Sequence, residues 1–206
     1  MLPYRGEFVM YRTVVSILFL SFFLTAGNSQ PVGSPMFFPA VNTFKVTDVQ
    51  LQKDVVISKA DKHLLLFVFM SPECPLCQNY TKIINGIQQQ YNQHVEVYAI
   101  VPGVAYTAKD ITVFQKKYHT SFSFFIDKKM ALTKYLQATV TPQVILLDNK
   151  MQLVYTGAVD DWAISVGKKR AQASQHYLAD AIEQSIGKMP VSIASTKPVG
   201  CKINDY

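Results

Sequence analysis

Two cysteines lie three positions apart in Ser71-Pro72-Glu73-Cys74-Pro75-Leu76-Cys77. Thiols at that spacing can form and break a disulfide between themselves. A nearly continuous apolar run, His63 to Met70, precedes them, and no alternation is visible in it. That is the pattern of a strand buried on both faces of a sheet. A helical pattern follows, with Cys77, Tyr80, Ile84, Ile87 and Tyr91 at i, i+3, i+7, i+10 and i+14. The pair thus belongs at the start of a helix fed by a buried strand, the setting of a redox C-x-x-C. At a helix tip, free backbone N–H groups and the helix dipole favour an anion. The Cys74 thiol is therefore expected to ionise below the free value of about 8.5. Cys77, one turn further on the apolar face, is expected to be more buried and less ionised. Pro75 lacks an N–H and suits the first helical turn. Cys74 would attack a partner disulfide and Cys77 would resolve the mixed intermediate. Glu73 would oppose the Cys74 thiolate by like charge if close, or relay a proton. A solvated loop carboxylate is the plain alternative.

A structural disulfide and half of a metal site are the competing readings of the pair. The first seldom spans two residues at a helix tip. The second needs more ligands, and His63, His94, His119 and His176 lie outside any tight ligand spacing. No metal or other cofactor is therefore assigned, with copper binding kept as an alternative. Three cysteines are too few for a four-thiolate zinc site or a disulfide-rich scaffold. The odd one, Cys201, is either a small buried residue or a third redox thiol folded back near Cys74.

The elements around the pair follow from pattern. Phe44 to Val49 is a first strand candidate and Val95 to Val101 a second buried strand, ended by Pro102-Gly103. Thr107, with Asp110 three residues later, caps a helix bearing Ile111, Phe114 and Tyr118 on one face. Phe122 to Ile126 reads as a short strand, Met130 to Leu136 as a short helix and Gln143 to Leu147 as a strand. The turn Asp148-Asn149-Lys150 joins that strand to Leu153-Val154-Tyr155 in a hairpin. A last helix is expected over Ala173 to Ile186, while Val191 to Tyr206 shows no period. The order β-β-α-β-α-β-α-β-β-α predicts an α/β fold, a small mixed sheet with helices on both faces.

Arg5 and Arg12 precede an apolar run, Val14 to Leu24, and Thr25 to Gln30 are small or polar. These are the three parts of a secretory signal peptide. The run is short for a membrane span of about 20 residues. A secreted or periplasmic location follows, with an uncleaved N-terminal anchor as the alternative and no stable span in the mature chain. Cleavage is expected near Ala26 to Gln30. Disulfides can form in that compartment.

The 206 residues suit one domain with a real core. The net charge of +6 is spread along the chain, and the arginines are only Arg5, Arg12 and Arg170. Nucleic-acid binding is not expected from that balance. At 17% charged and 49% hydrophobic residues, a disordered chain is excluded.

Some 65 residues after the cysteine pair stands Ala138-Thr139-Val140-Thr141-Pro142-Gln143-Val144. With the strand-Cys74-Pro75-Leu76-Cys77-helix unit, it resembles the thioredoxin-like superfamily. Within it the chain is most similar to secreted redoxins of the alkyl hydroperoxide reductase / thiol-specific antioxidant type. Gly157 to Asp161, Gly167 to Arg170 and Pro198 to Ile203 also match segments of that group. The resemblance covers about Phe44 to Ile203. It implies a three-layer sandwich with a C-terminal helix and tail. It also implies that Pro142 is cis and lies against Cys74, and that Thr141 offers backbone hydrogen bonds to a substrate strand. Pro75, Leu76, Thr141 and Pro142 would line the substrate site. The organisation expected is signal and leader 1–30, redoxin domain 31–190, and a tail 191–206 carrying Cys201.

The family name also suggests peroxide reduction, but the residues argue otherwise. A peroxidatic P-x-x-x-[ST]-x-x-C ending at Cys74 needs proline where Phe67 stands, although Ser71 fits. Ending at Cys77, it needs proline at Met70 and Ser/Thr at Cys74. The mature chain holds only Arg170 to stabilise such a thiolate. The expected function is thiol–disulfide exchange with protein thiols or disulfides and an electron donor. A thiol peroxidase and a copper-delivery protein are the alternatives.

Overall fold

The strand before the cysteines, β3 here, is buried at every position from Leu64 to Phe69, as its unbroken apolar run predicts. It is an interior strand of a seven-stranded mixed sheet in a computed structural model describing residues 36–57 and 62–204. The expected signal segment lies outside the described residues.

In chain order the strands are β1 (Lys45–Asp48), β2 (Lys53–Val56), β3 (Leu64–Phe69), β4 (Val95–Pro102), β5 (Ser123–Asp127), β6 (Val140–Thr141), β7 (Gln143–Asp148) and β8 (Leu153–Gly157). Strands β9 (Ala163–Ser165), β10 (Lys168–Lys169) and β11 (Cys201–Lys202) follow. The helices are α1 (Pro75–Gln90), α2 (Ala108–Tyr118), α3 (Ala131–Tyr135) and α4 (Tyr177–Ile186). The sheet order is β2-β1-β5-β4-β3-β7-β8. β3 runs parallel to β4 and antiparallel to β7, with Phe69 opposite Ile100 and Gln143. The β-α-β connections give the parallel pairs, and the Asp148 turn gives the antiparallel β7–β8 hairpin.

The pleat sends successive β3 side chains to opposite faces. Leu64, Leu66 and Val68 pack with Ile84 of α1, Ile111 of α2 and Leu178 of α4. Leu65, Phe67 and Phe69 pack with Leu132 of α3 and with Phe38 and Val41 before β1. Each such side chain, once buried, stabilises the fold by about 1.5–3 kcal/mol. The half-exposed ion pairs Lys62–Glu96 and Arg170–Asp161 are worth only about 0–1 kcal/mol each. The two apolar layers hold the sheet, and with it the position of whatever follows β3.

Several elements differ from the sequence pattern. The last helix begins at Tyr177, not Ala173. The Asp161 carboxylate accepts hydrogen bonds from the N–H groups of Ser174 and Gln175 and from the Ser174 hydroxyl, holding that stretch as a loop. β2 went unseen because a four-residue edge strand, Lys53-Asp54-Val55-Val56, carries little apolar signal. The β9–β10 hairpin turns on Gly167, whose φ of +83° is left-handed.

The aperiodic tail is structured. Thr156 of β8 donates its N–H to Ala194 and accepts that of Thr196. Further on, β11 pairs antiparallel with β6, Cys201 opposite Thr141 and Lys202 opposite Val140.

Candidate active site

Cys74 caps α1 with extended dihedrals, φ −73° and ψ 116°, and Pro75 takes the first helical position. The sixteen-residue helix packs Cys77, Tyr80, Ile84 and Ile87 inward, so Cys77 is pinned one turn below the tip. The Thr141–Pro142 peptide is cis, and Pro142 is buried at the start of β7. The loop brings the Thr141 carbonyl to Cys74, whose thiol donates to it at 3.1 Å. The Ser71 N–H donates to Cys77 Sγ at 3.4 Å.

Cys201 completes the group. Its thiol donates to Cys74 Sγ at 2.7 Å across 127 positions of chain. Cys74 is 2% exposed and Cys77 fully buried, while Cys201 is partly exposed. Cys77 is the more buried of the pair, as its place on the apolar face predicts, and Cys74 is buried as well, with Cys201 of the tail against it.

The electrostatics separate the three thiols. Hydrogen bonding from the Cys77 thiol pulls Cys74 down to about 4, against burial, with help from the Cys201 thiol and from the N–H groups of Cys77 and Cys201. Ionisation forfeits the bond to the Thr141 carbonyl, and the neighbouring S–H groups supply donors in its place. Burial raises Cys77 well above the ordinary thiol value, and the facing Cys74 raises it further. Burial and then Cys74 push Cys201 up to about 11. The site is therefore one thiolate held by two protonated thiols.

A cavity of about 270 Å³ opens beside Cys74, lined among others by Ser71, Glu73, Tyr106, Thr141 and Lys202. The Ser71 hydroxyl meets that of Tyr106 at 3.1 Å. Burial raises the Tyr106 pKa, with the Glu73 carboxylate adding to the effect. Glu73 is exposed and acts on Tyr106, and the groups that act on Cys74 do not include it. Tyr106 escaped the sequence reading because a loop tyrosine carries no periodic signal. Of the other sequence-derived site residues, Pro75 is exposed at the helix tip and Leu76 is nearly buried beside it.

The Thr141 backbone, expected to receive a substrate strand, is paired with the chain's own tail. Cys201 and Lys202 pair with Thr141 and Val140, and the Ile203 N–H donates to the Thr139 carbonyl at 2.9 Å. The histidines stand apart. His63 and His94 stack at 5.7 Å before β3 and β4, His119 ends α2 and His176 precedes α4. Among the described residues, no group of three or more His, Cys, Asp or Glu side chains is placed to hold a metal ion. No helix among them is long and apolar enough to cross a membrane.

A buried C-x-x-C at a helix tip, facing a cis-proline loop on a seven-stranded mixed sheet flanked by helices, defines a thioredoxin-like fold. The chain belongs to the redoxin family, whose model matches residues 31–170. Cys201 lies beyond that match. The fold is similar to a hypothetical protein from Sinorhizobium meliloti (TM-score 0.71, 23% identity, 82% of this chain and 94% of that one). It is also similar to an uncharacterised conserved protein from Geobacillus kaustophilus (0.71, 18%, 84% and 92%). A secreted Mycobacterium tuberculosis disulfide oxidoreductase, homologous to DsbE of E. coli, aligns at TM-score 0.52 and 14% identity over 68% of this chain and 94% of that one. No curated protein sequence matches the chain.

Proposed function

We propose that this redoxin is an exported thiol–disulfide oxidoreductase working through the Cys74/Cys77 couple. The observation that carries this is the placement of the two thiols, Cys74 at the tip of α1 against the Thr141 carbonyl and Cys77 fully buried one turn below, with Cys74 drawn down and Cys77 driven up in pKa. The sulfur with the lower pKa is the thiolate and the better leaving group, and the other keeps its proton until the resolving step. The Cys74 thiolate forms a bond to one sulfur of a partner disulfide, and the other partner sulfur leaves and takes a proton. Cys77 then gives up its proton and attacks Cys74. The partner departs as a dithiol and a Cys74–Cys77 disulfide remains, to be reduced by a dithiol electron donor. Pro75, Leu76 and the Thr141–Pro142 loop frame the approach. The signal-like first thirty residues and the thiol chemistry together favour an oxidising compartment.

Peroxide reduction is disfavoured by the position of Arg170, whose guanidinium bonds to Asp161 and is not among the groups lining the cavity beside Cys74.

The test is dithiothreitol-driven insulin reduction. Cys74→Ser is expected to abolish it, and Cys77→Ser to leave Cys74 in a disulfide with the partner or with Cys201. Full activity in Cys74→Ser would sink the assignment.

A further inference from the structure

The couple proposed above is closed to solvent, and the thiol that shuts it in is itself partly exposed. Resting on that dithiol chemistry, we propose that Cys201 is a third catalytic thiol, through which external thiols and disulfides exchange with Cys74. The route runs from solvent to Cys201, to Cys74, to Cys77.

The geometry for the inner step is in place. Cys201 Sγ lies 2.7 Å from Cys74 Sγ, nearer than two unbonded sulfurs rest. The tail that carries it is held at both ends. Upstream, the Thr196 hydroxyl meets the Tyr155 hydroxyl at 2.6 Å and accepts the Ala158 N–H at 3.0 Å. Downstream, β11 is registered on β6. Gly200 lets the strand settle there, since a Cβ at that position would collide with the Thr141 carbonyl. The chain thus presents its own cysteine where an incoming strand would have to lie. A small buried cysteine filling space would need none of this.

The electrons balance at each step. In the oxidised couple, Cys201 loses its proton and attacks Cys74 Sγ. A Cys74–Cys201 bond forms, the Cys74–Cys77 bond breaks, and Cys77 takes up a proton. An external dithiol then attacks Cys201 Sγ, and Cys74 leaves as the stabilised thiolate. The second thiol of the dithiol attacks the mixed disulfide, frees Cys201 as a thiol and departs oxidised. The buried couple has gained two electrons by way of Cys201. Attack falls on Cys201 for two reasons: it is the more exposed sulfur, and Cys74, with the lower pKa, leaves faster.

The experiment oxidises the full-length protein with one equivalent of diamide, maps its disulfides by peptide mass spectrometry and then follows reduction by dithiothreitol. A Cys74–Cys201 peptide is expected alongside Cys74–Cys77. Cys201→Ser, which keeps the tail strand and leaves only Cys74–Cys77, should be reduced at least about tenfold more slowly, because the sulfurs that remain are the less accessible ones. Absence of the Cys74–Cys201 peptide overturns the relay, as does reduction of Cys201→Ser at an unchanged or faster rate. In those outcomes the wild-type Cys74–Cys77 disulfide still forms and is reduced, so the couple itself stands. If no disulfide involving Cys74 forms in either protein, the dithiol function falls and the relay with it.

Discussion

Gly200 lies so close to Thr141 that a Cβ on it would overlap the Thr141 carbonyl. Gly200→Ala must therefore lift β11 from β6 or shift the cis-proline loop. Overpacking of this kind costs about 1–3 kcal/mol. For a domain of this size that lowers the melting temperature by roughly 2–4 °C per kcal/mol. Cys74 should also become more accessible, and iodoacetamide should modify it faster than in the wild type. Unchanged melting together with unchanged alkylation would show that the tail does not cover the sulfur.

The pH dependence of the reduced protein has a defined sign. The folded Cys74 value of about 4 lies below the ordinary thiol value of 9.0, so the ionised thiol favours the folded state. That contribution is complete above pH 9, declines as the pH falls through the window between 9 and 4, and vanishes below 4. Cys201, raised to about 11, acts in the opposite sense as the pH climbs from 9 toward 11. The stability difference between wild type and Cys74→Ser in urea should thus widen from pH 4 to 9. The ultraviolet thiolate absorbance should titrate near pH 4. In Cys201→Ala, which lacks one donor to the thiolate, that midpoint should move upward.

Thr196 ties the tail to β8 by its hydroxyl, bonded to the Tyr155 hydroxyl and the Ala158 N–H. Thr196→Val keeps the shape and removes both bonds. Both bonds are partly buried, and losing a hydrogen bond of that kind costs about 0.5–1.5 kcal/mol. Thermal melting should fall accordingly, and hydrogen exchange in residues 194–203 should quicken. Exchange confined to other segments would refute the anchoring role.

Under α1, the Tyr80 hydroxyl donates to the buried Asp160 carboxylate at 2.5 Å, and the Trp162 N–H donates to the same oxygen at 2.9 Å. Tyr80→Phe leaves that carboxylate short of a donor. A loss of about 1–3 kcal/mol in urea unfolding is expected, and an unchanged midpoint would argue that water replaces the hydroxyl without cost.

The placement of the cysteine pair at the start of a helix was legible in the sequence because its cues are local. An apolar run, a C-x-x-C and a helical stripe sit within some thirty residues, and the Thr107–Asp110 cap behaved as its spacing predicts. Thr141-Pro142 was legible through family resemblance, and its peptide is indeed cis. The register of Cys201 was not legible. Its contact with Cys74 spans 127 positions, and the strand that delivers it is two residues long, too short for any period to show. Cysteine parity and the resemblance of Pro198 to Ile203 to redoxin tails pointed to it, without its register. The start of α4 was missed for a related reason: the group that delays the helix, Asp161, is distant in sequence from the loop it holds.

The tail has a second consequence, for self-association. β8 is the last strand of the seven, and an unpaired strand edge is a template for strands of other molecules. Thr156 spends its N–H on Ala194 and its carbonyl on Thr196, so the tail blunts that edge. The opposite edge, β2, is short and carries Lys53 and Asp54, which discourage pairing by charge. Truncation before Val191 should therefore open an adhesive border on the sheet, seen as concentration-dependent growth in light scattering. The same tail that brings a sulfur to the cysteine pair also occupies hydrogen-bonding groups on the border of the sheet.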